Sequence, residues 1–146
     1  MDKKLSSNIP EIILNKISEL NLKENEYNVY RVAKTGTINF STFDSTYTEM
    51  EKGTIPSENR DLKDIGLYGT SCYLTIGKCK KFLKLQKRFN PAPCIIKGVT
   101  KYGLSQKTNE RDSSSKDGHI DWWIFEGYEN ELIKEEIFFI YEEQKK

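Results

Sequence analysis

The sequence predicts an α+β domain, in which helices and strands follow one another without the regular alternation of a parallel α/β fold. Two segments have the 3.6-residue apolar period of amphipathic helices, at residues 9–20 and 76–89. Several others are rich in β-branched and aromatic residues and are bounded by glycine, proline or polar runs, which is typical of strands. The chain has 146 residues and no internal repeat or interdomain linker, so a single domain is predicted for residues 1–146.

The first half of the chain is predicted to contain a helix, a strand and a long irregular segment. Pro10 suits the first turn of a helix, and isoleucines follow it at helical spacing within the helical segment 1–25. Residues 27–34 have the valine and tyrosine content of a strand. Residues 35–65 show no sustained period beyond a short helix near residues 45–52, and irregular segments of this length are often functional.

The second half is predicted to contain a strand–helix unit followed by more strands. Residues 68–75 are predicted to form a strand that runs directly into the helix 76–89, which has an apolar side and a lysine-rich side. Residues 102–118 are predicted to be a polar loop that is exposed and mobile. The remaining strands are predicted at residues 94–101, 119–125 and 135–141.

Charge and cysteine content narrow the class of protein. The net charge is +1 although 31% of residues are charged, so the overall field does not indicate a nucleic acid or membrane partner. The basic run at residues 78–88 is predicted to be the solvated side of a helix, with an anion-binding face as the alternative. No membrane-spanning run or secretory signal is visible in the sequence. The three cysteines lack a C-x-x-C spacing and predict no disulfide framework. A cytoplasmic protein is therefore expected.

Several kinds of catalytic and metal site are excluded by the sequence. The chain has one histidine, His119, so a site built from several histidines cannot form, and no metal site is predicted. A nucleophile elbow, a Walker phosphate loop and a G-x-G-x-x-G motif are all absent from the sequence. Common nucleotide-binding enzyme classes are therefore not predicted.

Three polar features remain, and the first is Arg31 in an otherwise apolar strand. A buried guanidinium is costly unless an anion meets it, and it pairs with phosphate through two parallel hydrogen bonds. The alternatives are an edge-strand arginine that points to water and one paired with an internal carboxylate.

The second feature is a set of hydroxyl side chains at the end of the strand 68–75. Alternation places Ser71, Tyr73 and Thr75 on one face and apolar residues on the other. Tyr73 can then stack on a flat heteroaromatic ring while a neighbouring hydroxyl binds its amide. A half-exposed strand without a ligand has the same pattern.

The third feature is a pair of acidic residues at the two ends of the tryptophan-rich strand 119–125. Alternation puts His119 and Asp121 on the same face, and Asp121 is a candidate for a carboxylate that faces a pocket. Glu126 follows the strand at its exit. The alternative is a solvent-facing strand start beside a tryptophan-rich core.

The order of these features resembles that of the small bacterial and phage ADP-ribosyltransferases, over residues 27–141. Tyr30-Arg31 resembles the aromatic–arginine pair of the family's first core strand. Gly-x-Tyr-Leu-Thr before a helix, with Tyr73 and the nearby Ser71, resembles its second nicotinamide-binding element. Asp121, preceded by His119 and followed by Trp122, resembles its acidic element, although the usual acid is glutamate and Glu126 is the alternative equivalent. The family's Ser-Thr-Ser element is absent, with Ser41-Thr42 as a loose substitute.

The resemblance implies a fold, a substrate and a reaction. The fold is a split mixed or antiparallel β core with an N-terminal helix and a helix after the second core strand. The reaction is cleavage of the nicotinamide N-glycosidic bond of NAD. The ADP-ribosyl group is then transferred to an intracellular macromolecule, or the bond is simply hydrolysed. If the protein is a toxin, a protein partner that neutralises it is expected. The implied catalytic candidates are Asp121, Glu126 and His119, and the implied NAD-binding residues are Tyr30, Arg31, Ser71, Tyr73 and Thr75.

Glu110 and Arg111 lie in the predicted loop, where they would either recognise the acceptor or simply be solvated charges.

The competing class is a protein without catalysis. A small α+β binding module, such as an immunity protein or an inhibitor, fits the composition. In that case exposed interface anchors are expected among Trp122, Trp123, Phe138 and Phe139. A transferase fold that has lost activity and binds only a nucleotide or a partner is the remaining alternative.

Overall fold

A six-stranded antiparallel sheet forms the centre of this α+β protein, with the strand order β4-β5-β2-β1-β3-β6. The computed structural model describes residues 3–115 and 117–142. The strands are β1 (Asn28–Ala33), β2 (Thr70–Tyr73), β3 (Cys94–Val99), β4 (Gly103–Lys107), β5 (His119–Ile124) and β6 (Phe139–Ile140).

Four α-helices and three 3₁₀ turns surround the sheet within the described residues. The helices are α1 (Glu11–Glu19), α2 (Thr46–Glu51), α3 (Ile76–Gln86) and α4 (Glu129–Lys134). The 3₁₀ turns are Phe40–Phe43, Ile65–Tyr68 and Thr108–Glu110. None of the helices in the described part of the chain is long and apolar enough to cross a membrane.

The two faces of the sheet are covered differently. One face buries a continuous apolar core, in which Trp122 of β5 stacks on Phe138 with ring centroids 5.7 Å apart. The other face carries two separate clusters. One lies under α3 around Cys79, and the other lies under α1 around Ile13 and Trp123. Polar side chains of β2 and β5 therefore lie between two apolar clusters on this second face.

The sheet is nearly open between β1 and β2. These two strands share one register pair, Tyr30 with Tyr73. By contrast, β1 pairs with β3 along its whole length, and β2 pairs with β5 along its whole length. The opening separates a half formed by β4, β5 and β2 from a half formed by β1, β3 and β6, and it places backbone groups of both strands beside a cleft.

Most predicted elements are confirmed, including α1, α2, the first three strands and α3. The predicted loop 102–118 is wrong in its first half, because residues 103–107 form β4 and Ser105 is buried in the sheet. The predicted strand 135–141 is too long. The chain forms α4 just before it, and only Phe139–Ile140 pair with β3.

Candidate functional site

A buried carboxylate, Asp121, is the centre of a polar cluster on β5. Its side chain is 3% exposed, and its Oδ2 accepts hydrogen bonds of 2.8 Å from Thr108 Oγ1 and from Arg111 Nη2. Arg111 also donates to Gln106 Oε1 at 3.0 Å. Gly66 leaves room for this pair, since a Cβ at that position would lie 2.9 Å from Arg111 Nη2. The result is a charge-assisted aspartate–arginine contact in a site that water barely reaches.

His119 joins the cluster through Thr108, whose Oγ1 lies 2.5 Å from His119 Nδ1. The single hydroxyl hydrogen of Thr108 is donated to Asp121, so Nδ1 must carry a hydrogen and Nε2 keeps its lone pair. Burial lowers the pKa of His119 below its ordinary value of 6.5, and the cations Arg111 and Lys78 lower it further while Asp121 opposes the shift. At neutral pH the imidazole is therefore a neutral base held in one tautomer.

Arg31 fills the opening between β1 and β2. Its Nη1 donates to the backbone oxygen of Ser71 at 2.6 Å, and its Nε and Nη2 donate to the backbone oxygens of Thr42 and Asp44 at 2.8 and 3.2 Å. The bond to Ser71 satisfies a carbonyl of β2 that has no register partner on β1. A guanidinium has five N–H donors, so two remain for a ligand in the adjoining cleft.

A cleft lies beside Arg31 and is called here the β1–β2 cleft. It consists of two adjoining cavities of about 520 and 330 Å³, between the sheet opening, the second half of α3 and the segment before β2. Two lysines on its wall are already paired, Lys34 with Glu49 at 2.5 Å and Lys52 with Asp44 at 2.7 Å. Its charged lining consists of the basic residues Arg31, Lys34, Lys52 and Arg60 and the acidic residues Asp44 and Glu49. A net-positive cleft of this size suits a nucleotide-sized anion.

Tyr73 stands between this cleft and a second cavity. Its ring lies near Phe82 and edge-on to His119, with centroid distances of 6.0 and 5.6 Å. The second cavity, called here the α3–β5 pocket, has a volume of about 340 Å³, and Tyr73 lines both spaces. The pocket is lined by Tyr73, Lys78, Lys81, Ser115, Asp117 and His119. Tyr73 can therefore contact a ligand in the cleft and a second molecule in the pocket.

No family model matches this chain. No curated protein and no solved structure matches it significantly either. Within the described residues, no group of three or more histidine, cysteine, aspartate or glutamate side chains is placed to hold a metal ion. The chemistry of the site is therefore inferred from its own residues and geometry.

The register of β2 and β5 brings four of the predicted residues together. Tyr73 pairs with His119 and Ser71 pairs with Asp121, so their side chains share one face of the sheet. Arg31 reaches the same place from the other side, because the carbonyl of Ser71 accepts its hydrogen bond. Ser71 thus links the arginine in the opening with the carboxylate on β5.

The other three predicted residues lie outside this group. Tyr30 packs edge-on against Tyr141, with ring centroids 5.5 Å apart, and does not line the cleft. Thr75 is exposed at the start of α3. Glu126 lies beyond the opposite end of β5, where it accepts hydrogen bonds from the backbone N–H and hydroxyl of Ser7.

Thr108 is a residue that the sequence interpretation missed, and Arg111 was considered only as a residue that recognises the acceptor or as a solvated loop charge. A solvated role for Arg111 is wrong, because its side chain is 17% exposed and it binds Asp121. Local alternation does not reveal them, because residues 104–108 contain a single apolar residue, Leu104. Recognising β4 would have placed Thr108 next to the entry of β5.

Proposed function

We propose that this protein is a NAD-consuming ADP-ribosyltransferase that cleaves the nicotinamide N-glycosidic bond. The observation that carries the proposal is the junction at Ser71. There the opened β1–β2 sheet, Arg31, Tyr73 and the carboxylate of Asp121 come together around one strand. The resemblance of the sequence to this enzyme class implies such a split core, with these residues in this order.

Two properties of the cleft support the binding of NAD. Its two cavities together have the volume of typical cofactor sites, and its basic residues outnumber its acidic ones. The pyrophosphate of NAD would bind at Arg31, which has two N–H donors left and holds its position through three backbone carbonyls. The nicotinamide ring would lie against Tyr73, whose pKa is raised by burial, so the phenol stays neutral.

The reaction follows from the bond that breaks. The electron pair of the C1′–N1 bond leaves with nicotinamide, and the ribose gains positive charge that a fixed carboxylate stabilises. Asp121 supplies that carboxylate once Arg111 moves aside. A nucleophilic oxygen or nitrogen of the acceptor, or of water, then bonds to C1′ from the side of the α3–β5 pocket. Its proton passes to Nε2 of His119, which is neutral and lines that pocket.

The proposal is tested by measuring nicotinamide released from NAD by the purified protein, with and without a cell lysate as the source of acceptor. We expect release by the wild-type protein and a loss of at least about 100-fold in Asp121→Asn, because the neutral amide cannot stabilise the ribosyl cation. Greater release with lysate indicates transfer, and equal release indicates hydrolysis.

Two further variants make this result specific. Asp121→Asn leaves Arg111 with only the more distant carboxylate of Asp64, 3.9 Å away. The double variant Asp121→Asn/Arg111→Met is therefore measured beside it, and folding is checked by circular dichroism. Glu126→Gln is the matched carboxylate control and should retain activity. Absence of release from the wild-type protein, or full activity in both folded Asp121 variants, would overturn the proposal and favour a binding module without catalysis.

A further inference from the structure

The charges of this chain are strongly segregated along the sequence. The net charge is only +1, yet residues 65–109 contain nine lysines and arginines and no aspartate or glutamate. Six of these nine basic residues fall between residues 78 and 88, on or directly after α3. A balanced total charge therefore conceals a local basic surface, which is the electrostatic signature of a polyanion partner.

The helix α3 presents these charges as a stripe. Cys79 is fully buried against the sheet, so the opposite side of α3 faces solvent. Lys81, Lys84 and Arg88 are all exposed and follow one another at spacings of three and four residues, which puts them on one line along that side. Lys78 extends the line at the N-terminal end. At 1.5 Å per residue the stripe from Lys78 to Arg88 is about 15 Å long.

Each end of the stripe meets an aromatic surface. At the N-terminal end, Lys78 and Lys81 line the α3–β5 pocket together with Tyr73 and His119. At the C-terminal end, Phe89 follows directly; this residue is 74% exposed and also lines the β1–β2 cleft. A cationic track with aromatic rings beside it is the usual design of sites for single-stranded nucleic acid, because phosphates bind the charges and unpaired bases stack on the rings.

We propose that the outer side of α3 binds single-stranded nucleic acid. Its phosphates lie along Lys78, Lys81, Lys84 and Arg88, one base stacks on Phe89, and another enters the α3–β5 pocket. Duplex nucleic acid fits less well, because its bases are stacked inside the helix and cannot enter a pocket.

The bound strand is also the acceptor of ADP-ribose, and this second statement rests on the proposed function. An oxygen or nitrogen of the nucleotide in the pocket bonds to ribose C1′. It loses its proton to His119 Nε2, and nicotinamide departs with the electron pair of the broken bond.

Binding is tested without NAD, by fluorescence anisotropy of labelled 20-nucleotide single-stranded RNA and DNA of mixed sequence at 50 to 200 mM KCl. We expect binding that weakens steeply with salt. The double reversal Lys81→Glu/Lys84→Glu should weaken it at least tenfold and flatten its salt dependence. The matched control Lys63→Glu/Lys134→Glu changes the net charge equally at exposed lysines elsewhere, and it should stay within about twofold of wild type. Phe89→Ala should weaken binding about fivefold or more with an unchanged salt dependence.

Three results would overturn the proposal. They are no binding of either oligonucleotide at 50 mM salt, equal weakening by the two double reversals, and tighter binding of a 20-base-pair duplex than of the single strands. A preference for RNA or for DNA identifies the kind of nucleic acid that the outer side of α3 binds. NAD takes no part in the binding measurement, so failure of the nicotinamide assay does not affect the binding result. An oligonucleotide that binds but is not modified overturns only the acceptor role.

Discussion

His119 is the residue whose chemistry the structure defines most closely. Its Nδ1 is fixed by Thr108, which in turn donates to Asp121, and burial lowers its pKa below 6.5. It is also the one histidine in the chain, so its imidazole signals can be followed by NMR without overlap. We expect these signals to titrate with a midpoint below 6.5 and, above that midpoint, to show a hydrogen on Nδ1. The variant Thr108→Val should lose this tautomer preference, because the acceptor of the Nδ1 hydrogen is gone.

The same shift predicts how stability depends on pH. The unfolded chain takes up a proton on His119 more readily than the folded protein does, so the free energy of unfolding decreases as the pH falls through 6.5 towards the folded pKa. The variant His119→Gln does not titrate and should lack this part of the decrease, as measured by urea unfolding at pH 7.5 and pH 5.5. A titration midpoint above 6.5, or identical pH dependence in the two proteins, would contradict the proposed environment of His119.

At the level of single residues, the sequence predicted part of the site. Alternation along two short strands is enough to put Ser71 with Tyr73, and His119 with Asp121, on single faces. It cannot reveal which face meets which partner, because the pairing of β2 with β5 joins residues about 50 positions apart. The role of Arg111 was unpredictable for a different reason. Its contact with Asp121 depends on a turn after β4 that places the arginine back over β5.

Among the secondary-structure elements, the β1–β2 opening is the feature on which the cleft depends. Arg31 supplies hydrogen bonds to three backbone carbonyls at this opening. The substitution Arg31→Met keeps an apolar stem but leaves these carbonyls without their donor. It should lower the free energy of unfolding by about 2–4 kcal/mol, as measured by urea denaturation.

The neighbouring strand offers a matched control for this variant. Lys97 of β3 is the register partner of Tyr30 and lies over its ring at 5.4 Å, without a role in the opening. Lys97→Met should cost less than about 1 kcal/mol. Equal effects of the two substitutions would mean that Arg31 does not hold the opening together.

Elements with a strong local signal were predictable and the others were not. The helix α3 has a clear apolar period, and β5 has a continuous apolar core, so both were found near their observed bounds. β4 was missed because its residues are mostly polar and its inward positions are occupied by Gly103 and Ser105. Gly103 packs against the backbone of β5, where a Cβ would lie 2.4 Å from the carbonyl oxygen of Trp123. That constraint comes from tertiary packing, which local periodicity does not record.

For the molecule as a whole, the proposed function depends on two spaces that meet at one side chain. The β1–β2 cleft and the α3–β5 pocket both include Tyr73, and the imidazole of His119 lies edge-on to its ring. Asp121 lies two residues further along β5, as the register partner of Ser71, and lines neither space. Under the proposed function, a donor in the cleft and an acceptor in the pocket would approach one ribose carbon from two sides. The four basic residues of the stripe lie outside the β1–β2 cleft, whereas Phe89 at the end of the stripe also lines that cleft.

The central claim is that the β1–β2 cleft binds NAD, and the most direct test is the unfolding temperature measured at increasing NAD concentration. A ligand that binds only the folded protein at 100 times its dissociation constant adds about 2.7 kcal/mol, which for a domain of this size corresponds to a rise of about 5–10 °C. We expect this rise for the wild-type protein and a much smaller one for Tyr73→Ala at the same concentrations. No rise at millimolar NAD, or an equal rise in the two proteins, would contradict the account.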